Sequence, residues 1–162
     1  MFILGSRRWS QMNFLSRHYD EIEIGERFES RGRTVTETDI VQWCALTGDW
    51  YVLHTDAHYA ARTRFGQRVA PGLLVHAIAA GLGVPADAPA IVANYGTDGL
   101  RFTAPTFIGD TVRLRSEVLA KTDKRPGRDG VVKLDWKVYN QNDELLLTSD
   151  LQILMTCRGR AN

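Results

Sequence analysis

Two side chains, Asp49 and His54, could together perform acid–base chemistry on a small substrate. A carboxylate and an imidazole can orient a water molecule, remove a proton from it and later return one, because one group accepts a hydrogen bond while the other donates. In one continuous helix the two side chains would point about 140° apart, since each residue turns the helix by about 100°. They can share one cleft only if Gly48 ends the helix and the following residues turn as a loop.

The same spacing has a simpler interpretation, and spacing alone favours it. Asp49 would cap a short helix, and His54 would be a packed or surface histidine. Gly-Asp pairs are common at turns, and the pair Gly109-Asp110 of the same chain is suited to opening a strand. The elements and motifs around Asp49 and His54 must therefore decide between the two interpretations.

The segment before this pair predicts a strand followed by a helix. Residues 25–39 favour a first strand. Thr38 is expected to cap the helix that follows, because its hydroxyl can accept a free backbone N–H of the first turn, and this helix should end at Gly48. Residues 49–70 then predict an irregular segment with one short helix over residues 57–64.

The stretch after Pro71 predicts a helix buried inside the protein. Proline suits a first helical turn, because its missing N–H is not needed there. Residues 72–83 are apolar almost all round, so this helix should be enclosed by other elements. Beyond a turn rich in Pro and Ala, four strands are expected, at residues 91–102, 111–119, 131–139 and 145–155, with loops at residues 121–130 and 140–144.

These elements predict an α+β domain in the hot-dog arrangement, an antiparallel sheet wrapped around a long apolar helix. Apolar and charged residues alternate in two of the strands, which indicates antiparallel pairing with one face in water. We expect an irregular N-terminal extension over residues 1–18, with Met12 as an alternative start, one domain over residues 19–157 and a tail over residues 158–162. An open edge on a small curved sheet favours a dimer.

Composition and absent motifs exclude several classes of function. The chain carries 20 Lys and Arg against 19 Asp and Glu, and a net charge of +1 gives no general attraction to nucleic acid or to an anionic membrane. Cys44 and Cys157 lack the spacing of a metal site and fit a reducing compartment. The apolar cluster Phe2-Ile3-Leu4 is too short for a signal peptide, so a cytoplasmic location is expected. The sequence has no Walker loop, GxGxxG, HExxH or GxSxG motif.

A longer block around the pair favours the catalytic interpretation. The residues Gly48-Asp49-Trp50-Tyr51-Val52-Leu53-His54-Thr55-Asp56 precede Tyr59-Ala60, Gly72 and the apolar helix. This pattern resembles the MaoC-like (R)-specific enoyl-CoA hydratase family. The resemblance continues through Leu100-Arg101-Phe102-Thr103-Ala104-Pro105 and Gly109-Asp110-Thr111-Val112, and covers roughly residues 19–155. The Gly-Asp…His block is fairly specific to this hydratase branch, whereas the later pattern is shared more loosely among hot-dog proteins.

The resemblance implies a hydro-lyase that reversibly hydrates a trans-2-enoyl-CoA to a 3-hydroxyacyl-CoA. Asp49 and His54 would activate the water that attacks the β-carbon and then deliver a proton to the α-carbon. The backbone N–H of Gly72 would hold the thioester oxygen, which suits the free N–H groups and partial positive charge of a helix N-terminus. No metal or redox cofactor is expected. The partners would be an acyl-CoA or acyl-carrier-protein thioester and a second copy of the chain, in a homodimer or an assembly of dimers.

Departures from the family pattern leave the shape of the acyl pocket open. The family usually has Asn-Pro where this chain has Tyr51-Val52, and some members carry a serine near the position of Ala80. Trp50 and Tyr51 could line an acyl tunnel or pack at a dimer contact. His76, within the apolar helix, is favoured as a hydrogen-bonded core or interface histidine.

Two basic clusters could contact the phosphates of coenzyme A, although a solvated charged face is the favoured interpretation of each. The first comprises Arg62, Arg64 and Arg68, and the second comprises Lys121, Lys124, Arg125 and Arg128. Other functions on the same fold also stay open. They are dehydration of carrier-protein-bound 3-hydroxyacyl chains and a non-catalytic hot-dog subunit of a heterodimer. A thioesterase is less favoured, because the Asp-x4-His block distinguishes the hydratase branch.

Overall fold

A computed structural model describes residues 9–159 of the chain. Two short 3-10 helices, Phe14–Ser16 and Tyr19–Glu21, come before the first strand. The helices are α1 (Glu37–Thr47), α2 (Val52–Thr55), α3 (Ala57–Ala61) and α4 (Gly72–Gly83). The strands are β1 (Arg27–Glu29), β2 (Arg33–Thr34), β3 (Ile91–Phe102), β4 (Thr111–Arg125), β5 (Asp129–Tyr139) and β6 (Leu145–Thr156).

The strands form one antiparallel sheet that packs against α4. Its order is β1-β4-β5-β6-β3, and the short strand β2 also pairs with β4. One side of α4 is buried with the apolar inner face of the sheet in a single core. The approach is closest at Gly83, where an added methyl group would overlap the Trp136 ring and Leu114. The predicted α+β arrangement of a sheet around an apolar helix is confirmed.

Within one chain, α4 is enclosed on one side only, so the prediction of a helix buried all round is wrong. Leu74, Val75 and Ile78 face the core, whereas Leu73 on the other side is 56% exposed. Strand β3 has a similar character. It pairs with β6 alone and forms an edge of the sheet, and most of its residues are exposed. The chain therefore presents an apolar helix stripe and an open strand edge to its surroundings.

Helix α1 begins two residues before the predicted position, at a different cap. Thr36, and not Thr38, is the capping residue, since its hydroxyl accepts a hydrogen bond from the Asp39 N–H at 3.2 Å. Asp39 in turn accepts one from the Thr36 N–H at 2.8 Å. This reciprocal pair is a capping box, and the Thr-x-x-Asp spacing is its sequence signature. The predicted end at Gly48 is confirmed, with a left-handed φ of 79°.

Three other predicted boundaries were wrong. The stretch 25–39 forms two short strands, and the helix expected over residues 57–64 ends at Ala61. The loop expected over residues 121–130 is mostly strand, because β4 and β5 stay paired as far as Arg125 and Asp129, which also form an ion pair. The remaining strands agree closely with the prediction, and β3 has the predicted limits.

The N-terminal segment joins the same core. Phe14 and Leu15 are buried, and the Phe14 ring meets the Phe28 ring edge-on at 6.4 Å between centroids. The Asn13 side chain donates a hydrogen bond to the Gly83 carbonyl at 2.8 Å and so ties this segment to the end of α4. The cluster Phe2-Ile3-Leu4 lies outside the described residues. Among residues 9–159, no helix is long and apolar enough to cross a membrane.

Candidate active site

A cavity of about 310 Å³ lies at the N-terminal end of α4. Two predicted site residues, His54 and Gly72, are part of its wall. The rest of the wall is largely apolar and comes from the segment after α3, the first turn of α4, the end of β3 with the loop that follows it, and the start of β6. These residues are Arg64, Phe65, Val69, Ala70, Val75, Phe102, Thr103, Ala104, Pro105, Thr106 and Leu146.

A backbone carbonyl fixes the tautomer of the neutral His54 ring. The imidazole Nδ1 lies 2.6 Å from the carbonyl oxygen of Val69. Because a carbonyl can only accept a hydrogen bond, Nδ1 must carry the hydrogen. In the neutral ring the lone pair is then on Nε2, which can act as a base. The ring is also held edge-on against Tyr51, with 5.7 Å between the ring centroids.

Gly72 places the N-terminus of α4 in the cavity wall. The first N–H groups of a helix have no partner within the helix and carry partial positive charge, so they suit an oxygen that gains negative charge. An added methyl group at Gly72 would lie 2.6 Å from the Phe102 ring. The missing side chain therefore lets the Phe102 ring lie against the start of the helix.

Asp49 follows the end of α1 and is exposed, and the cavity wall given above does not include it. Its backbone N–H donates to the Thr47 hydroxyl at 3.3 Å. The simpler interpretation of Asp49 as a helix cap is wrong. Helix α2 begins after Tyr51 without a side-chain cap, and Asp56 caps α3 by accepting the Tyr59 N–H at 2.9 Å.

Of the other predicted contact residues, Arg64 is part of the cavity wall, whereas Trp50, Tyr51 and Arg62 are not. Trp50 and Tyr51 are each more than half exposed. Arg64 lies in the cavity wall, with its guanidinium 5.0 Å from the centroid of the Phe65 ring. Arg62 is exposed.

Several of the basic side chains have structural partners. Arg68 pairs with Glu37 at 2.7 Å. In the second cluster, the Lys121 ammonium donates to the Ile22 carbonyl at 2.7 Å, and Lys124 lies over the Tyr95 ring. Arg125 pairs with Asp129 at the end of the β4–β5 hairpin.

The sequence reasoning missed the contribution of the β3–β4 loop to the cavity. Phe102, Thr103 and Pro105 belong to the stretch that carries the family resemblance, and that stretch was the available signal. His76 also differs from expectation, because its Nδ1 is buried and has no hydrogen-bond partner among the described residues. Burial lowers the pKa of this imidazole below its ordinary value and favours the neutral ring.

An antiparallel sheet around an apolar helix, with an imidazole and the helix N-terminus on one cavity, defines a hot-dog protein. The chain belongs to the MaoC-like domain family, whose profile matches residues 21–140.

Relatives and structures agree with this assignment. The chain is 40% identical over 108 residues to protein MaoC of Klebsiella aerogenes, covering 67% of this chain and 32% of MaoC. It is 36% identical over 102 residues to the 3-hydroxybutyryl-CoA dehydratase of Methylorubrum extorquens, covering 62% and 63% of the two chains. The chain thus spans less than two thirds of the length of either relative.

Two known structures have the same architecture. One is the monoamine oxidase regulatory protein of Archaeoglobus fulgius, with a TM-score of 0.81 and 38% identity, covering 90% of this chain and 95% of that one. The other is the R-hydratase PhaJ1 of Pseudomonas aeruginosa, with a TM-score of 0.68 and 31% identity, covering 85% and 84% of the two chains. The family as a whole supports hydratase or dehydratase chemistry on CoA or carrier-protein thioesters.

Proposed function

We propose that this protein is a hydro-lyase that reversibly adds water to a trans-2-enoyl-CoA and gives a 3-hydroxyacyl-CoA. The observation that carries the proposal is the placement of His54 and the N-terminus of α4 on one largely apolar cavity. The names of two relatives, a 3-hydroxybutyryl-CoA dehydratase and an R-hydratase, support the reaction class.

The proposed steps need only acid–base groups of the chain. His54 Nε2 takes a proton from a water molecule as its oxygen bonds to the β-carbon of the enoyl group. The electron pair of the double bond forms a new double bond between the α-carbon and the carbonyl carbon. The carbonyl π pair moves onto the thioester oxygen, which accepts a hydrogen bond from the Gly72 N–H. The proton held by His54 then passes to the α-carbon and restores the thioester. No metal or redox cofactor takes part in this sequence.

We assign Asp49 the role of orienting the water molecule. Asp49 lies just after α1 and is exposed, and its carboxylate caps neither of the two short helices that follow. Trp50 and Tyr51, between Asp49 and α2, would shape the entrance for the acyl-CoA. Arg64 in the cavity wall, with Arg62 nearby in sequence, would approach its phosphates.

We also propose that two copies of the chain pair through β3. This strand is an edge of the sheet, and an edge strand with exposed apolar residues is a template for pairing with another chain. Val92, Tyr95 and Phe102 on β3 and Leu73 on α4 are large apolar side chains that are exposed there. A homodimer would cover the strand edge and the exposed stripe of α4.

The experiment that tests the reaction uses purified protein and trans-but-2-enoyl-CoA. Loss of the conjugated-thioester absorbance is followed together with the release of free thiol. We expect hydration without thiol release, reduced by about 100-fold or more in His54→Ala, as for the loss of a general base. Asp49→Asn should also be slower, because it removes the charge that orients the water molecule. His58→Ala, at an exposed histidine of α3, is the matched control and should retain activity. Thiol release without hydration would identify a thioesterase instead, and full activity of both site variants would refute the mechanism.

A further inference from the structure

A second cavity, of about 140 Å³, lies between α4 and the inner face of the sheet. Most of its wall is apolar, and Ala80, Leu151 and Ile153 are typical members. Three polar residues also line it: His76 on α4, Asn94 on β3 and Trp136 on β5. The cavity is therefore a mainly apolar space with a few polar groups on its wall, which is the usual composition of a small-molecule site.

Two of these polar groups have no hydrogen-bond partner among the described residues. Trp136 is only 1% exposed, yet its indole Nε1 is buried and unpaired. His76 Nδ1 is buried and unpaired in the same way. Buried polar atoms in proteins nearly always have a partner, and each exception calls for an explanation. Both residues line this cavity, so one polar ligand atom bound there would give the two nitrogens a partner.

The cavity lies along the helix that begins at Gly72. Residues four apart lie on the same side of a helix, so Gly72, His76 and Ala80 form one stripe along α4. His76 and Ala80 are about 6 Å and 12 Å from Gly72 along the axis, at about 1.5 Å per residue. An extended carbon chain advances about 1.3 Å per bond. An acyl chain whose thioester oxygen is held at Gly72 would reach this stripe after about five to nine bonds.

We propose that this cavity binds the distal end of the acyl chain and selects substrates that carry a neutral oxygen there, a hydroxyl or keto group. This inference rests on the proposed function. The indole N–H of Trp136 would donate to the ligand oxygen, since it can only donate. A hydroxyl could in addition donate to His76 Nδ1 or accept from it.

The surroundings favour a neutral oxygen over a carboxylate. Burial lowers the pKa of His76 and so favours the neutral ring, which offers no positive charge to an anion. No Lys or Arg lines the cavity. A buried carboxylate without a cationic partner is strongly disfavoured. The size agrees as well, because a cavity of about 150 Å³ can hold a molecule as large as benzene.

The test compares the binding of octanoyl-CoA with that of 8-hydroxyoctanoyl-CoA by isothermal titration calorimetry. In the wild type we expect the hydroxylated thioester to bind about five-fold more tightly, as for one hydrogen bond of ordinary net strength. Trp136→Phe keeps an aromatic ring but removes the N–H, so the preference should disappear. Trp43→Phe is the matched control. Its indole nitrogen is also buried and unpaired, but it lines a different groove, between α1 and α4. This variant should keep the preference.

Equal binding of the two thioesters to the wild type would overturn the inference, as would a preference that survives Trp136→Phe. Either result would assign the cavity to hydrocarbon or to buried water. Because binding is measured without turnover, the outcome is separate from that of the proposed reaction. Hydration of trans-but-2-enoyl-CoA, which is too short to reach His76, together with equal binding refutes only this inference. Preferential binding without hydration of any enoyl-CoA refutes only the proposed reaction.

Discussion

Replacement of His54 by asparagine separates the chemical role of this residue from its structural role. His54 Nδ1 donates to the Val69 carbonyl at 2.6 Å, and an asparagine amide nitrogen stands near the position of Nδ1. His54→Asn should therefore keep this hydrogen bond, while it removes the Nε2 base. Loss of a general base typically lowers the rate by about 100- to 10,000-fold. His54→Ala should lose the same activity and in addition the hydrogen bond, which is worth about 1 kcal/mol of unfolding free energy.

The assay has two readouts for the same three proteins. Hydration of trans-but-2-enoyl-CoA measures the chemistry, and thermal unfolding measures the hydrogen bond. For a domain of this size, about 1 kcal/mol corresponds to a Tm shift of about 2–4 °C. We expect His54→Asn to unfold close to the wild type and His54→Ala to unfold at a lower temperature, with both nearly inactive. Substantial activity in His54→Asn would show that Nε2 is not the base, and the reasoning would fail.

Three further predictions follow from particular contacts. Gly83→Ala should cost about 1–3 kcal/mol of unfolding free energy in urea denaturation, because the new methyl group overlaps the fully buried Trp136 and Leu114. Gly72→Ala should lower activity more than stability, since the half-exposed Phe102 ring can move. Similar losses of stability in both variants would contradict this expectation. Val92→Lys on the β3 edge should give monomers in light scattering. The control Val41→Lys, at a similarly exposed valine of α1, should leave the dimer intact. A dimer that survives Val92→Lys would rule out pairing through β3. Burial alone would raise the pKa of Asp39, but hydrogen bonds from Thr36 and the charge of Arg33 lower this pKa below its ordinary value of 3.8. The Asp39 carboxylate therefore stabilises the fold above pH 3.8, and this stabilisation is lost as the pH falls through the lower pKa of the folded state. Asp39→Asn should therefore be less stable at neutral pH and lose less on acidification, and equal acid sensitivity of the two proteins would refute the assignment.

Hydrophobic patterning predicted most of the fold, because it reports directly on burial. The limits of the helix over residues 72–83 follow from a run of apolar residues between glycine and proline signals. Patterning failed where polar residues continue a paired strand. The β4–β5 hairpin extends through Lys121 and Asp123 because β4 stays paired with β5 there, although this end of β4 has no apolar face of its own. Thr36 and Thr38 both suit a cap, and only the spacing to Asp39 separates them.

The candidate site was only partly readable from the sequence. His54 and Gly72 were found because their block and the helix start have local signatures. The wall from Phe102 to Thr106 depends on packing between segments far apart in the chain, such as Phe102 against Gly72, which no local pattern reports. Helix α2 was also missed, since its four residues, Val52–Thr55, are too few to show a helical periodicity and none of them is buried. The unpaired nitrogens of His76 and Trp136 become visible only when the helix lies on the sheet.

The central claim is that His54 and the N-terminus of α4 hydrate an enoyl thioester. The most direct measurement follows the absorbance of trans-but-2-enoyl-CoA in deuterium oxide and then determines where deuterium lies in the product by mass spectrometry and NMR. We expect the wild type and His58→Ala to form 3-hydroxybutyryl-CoA with one deuterium at the α-carbon. His54→Asn should form the same product at least about 100-fold more slowly. An unchanged enoyl-CoA, or equal rates for His54→Asn and the wild type, would contradict it.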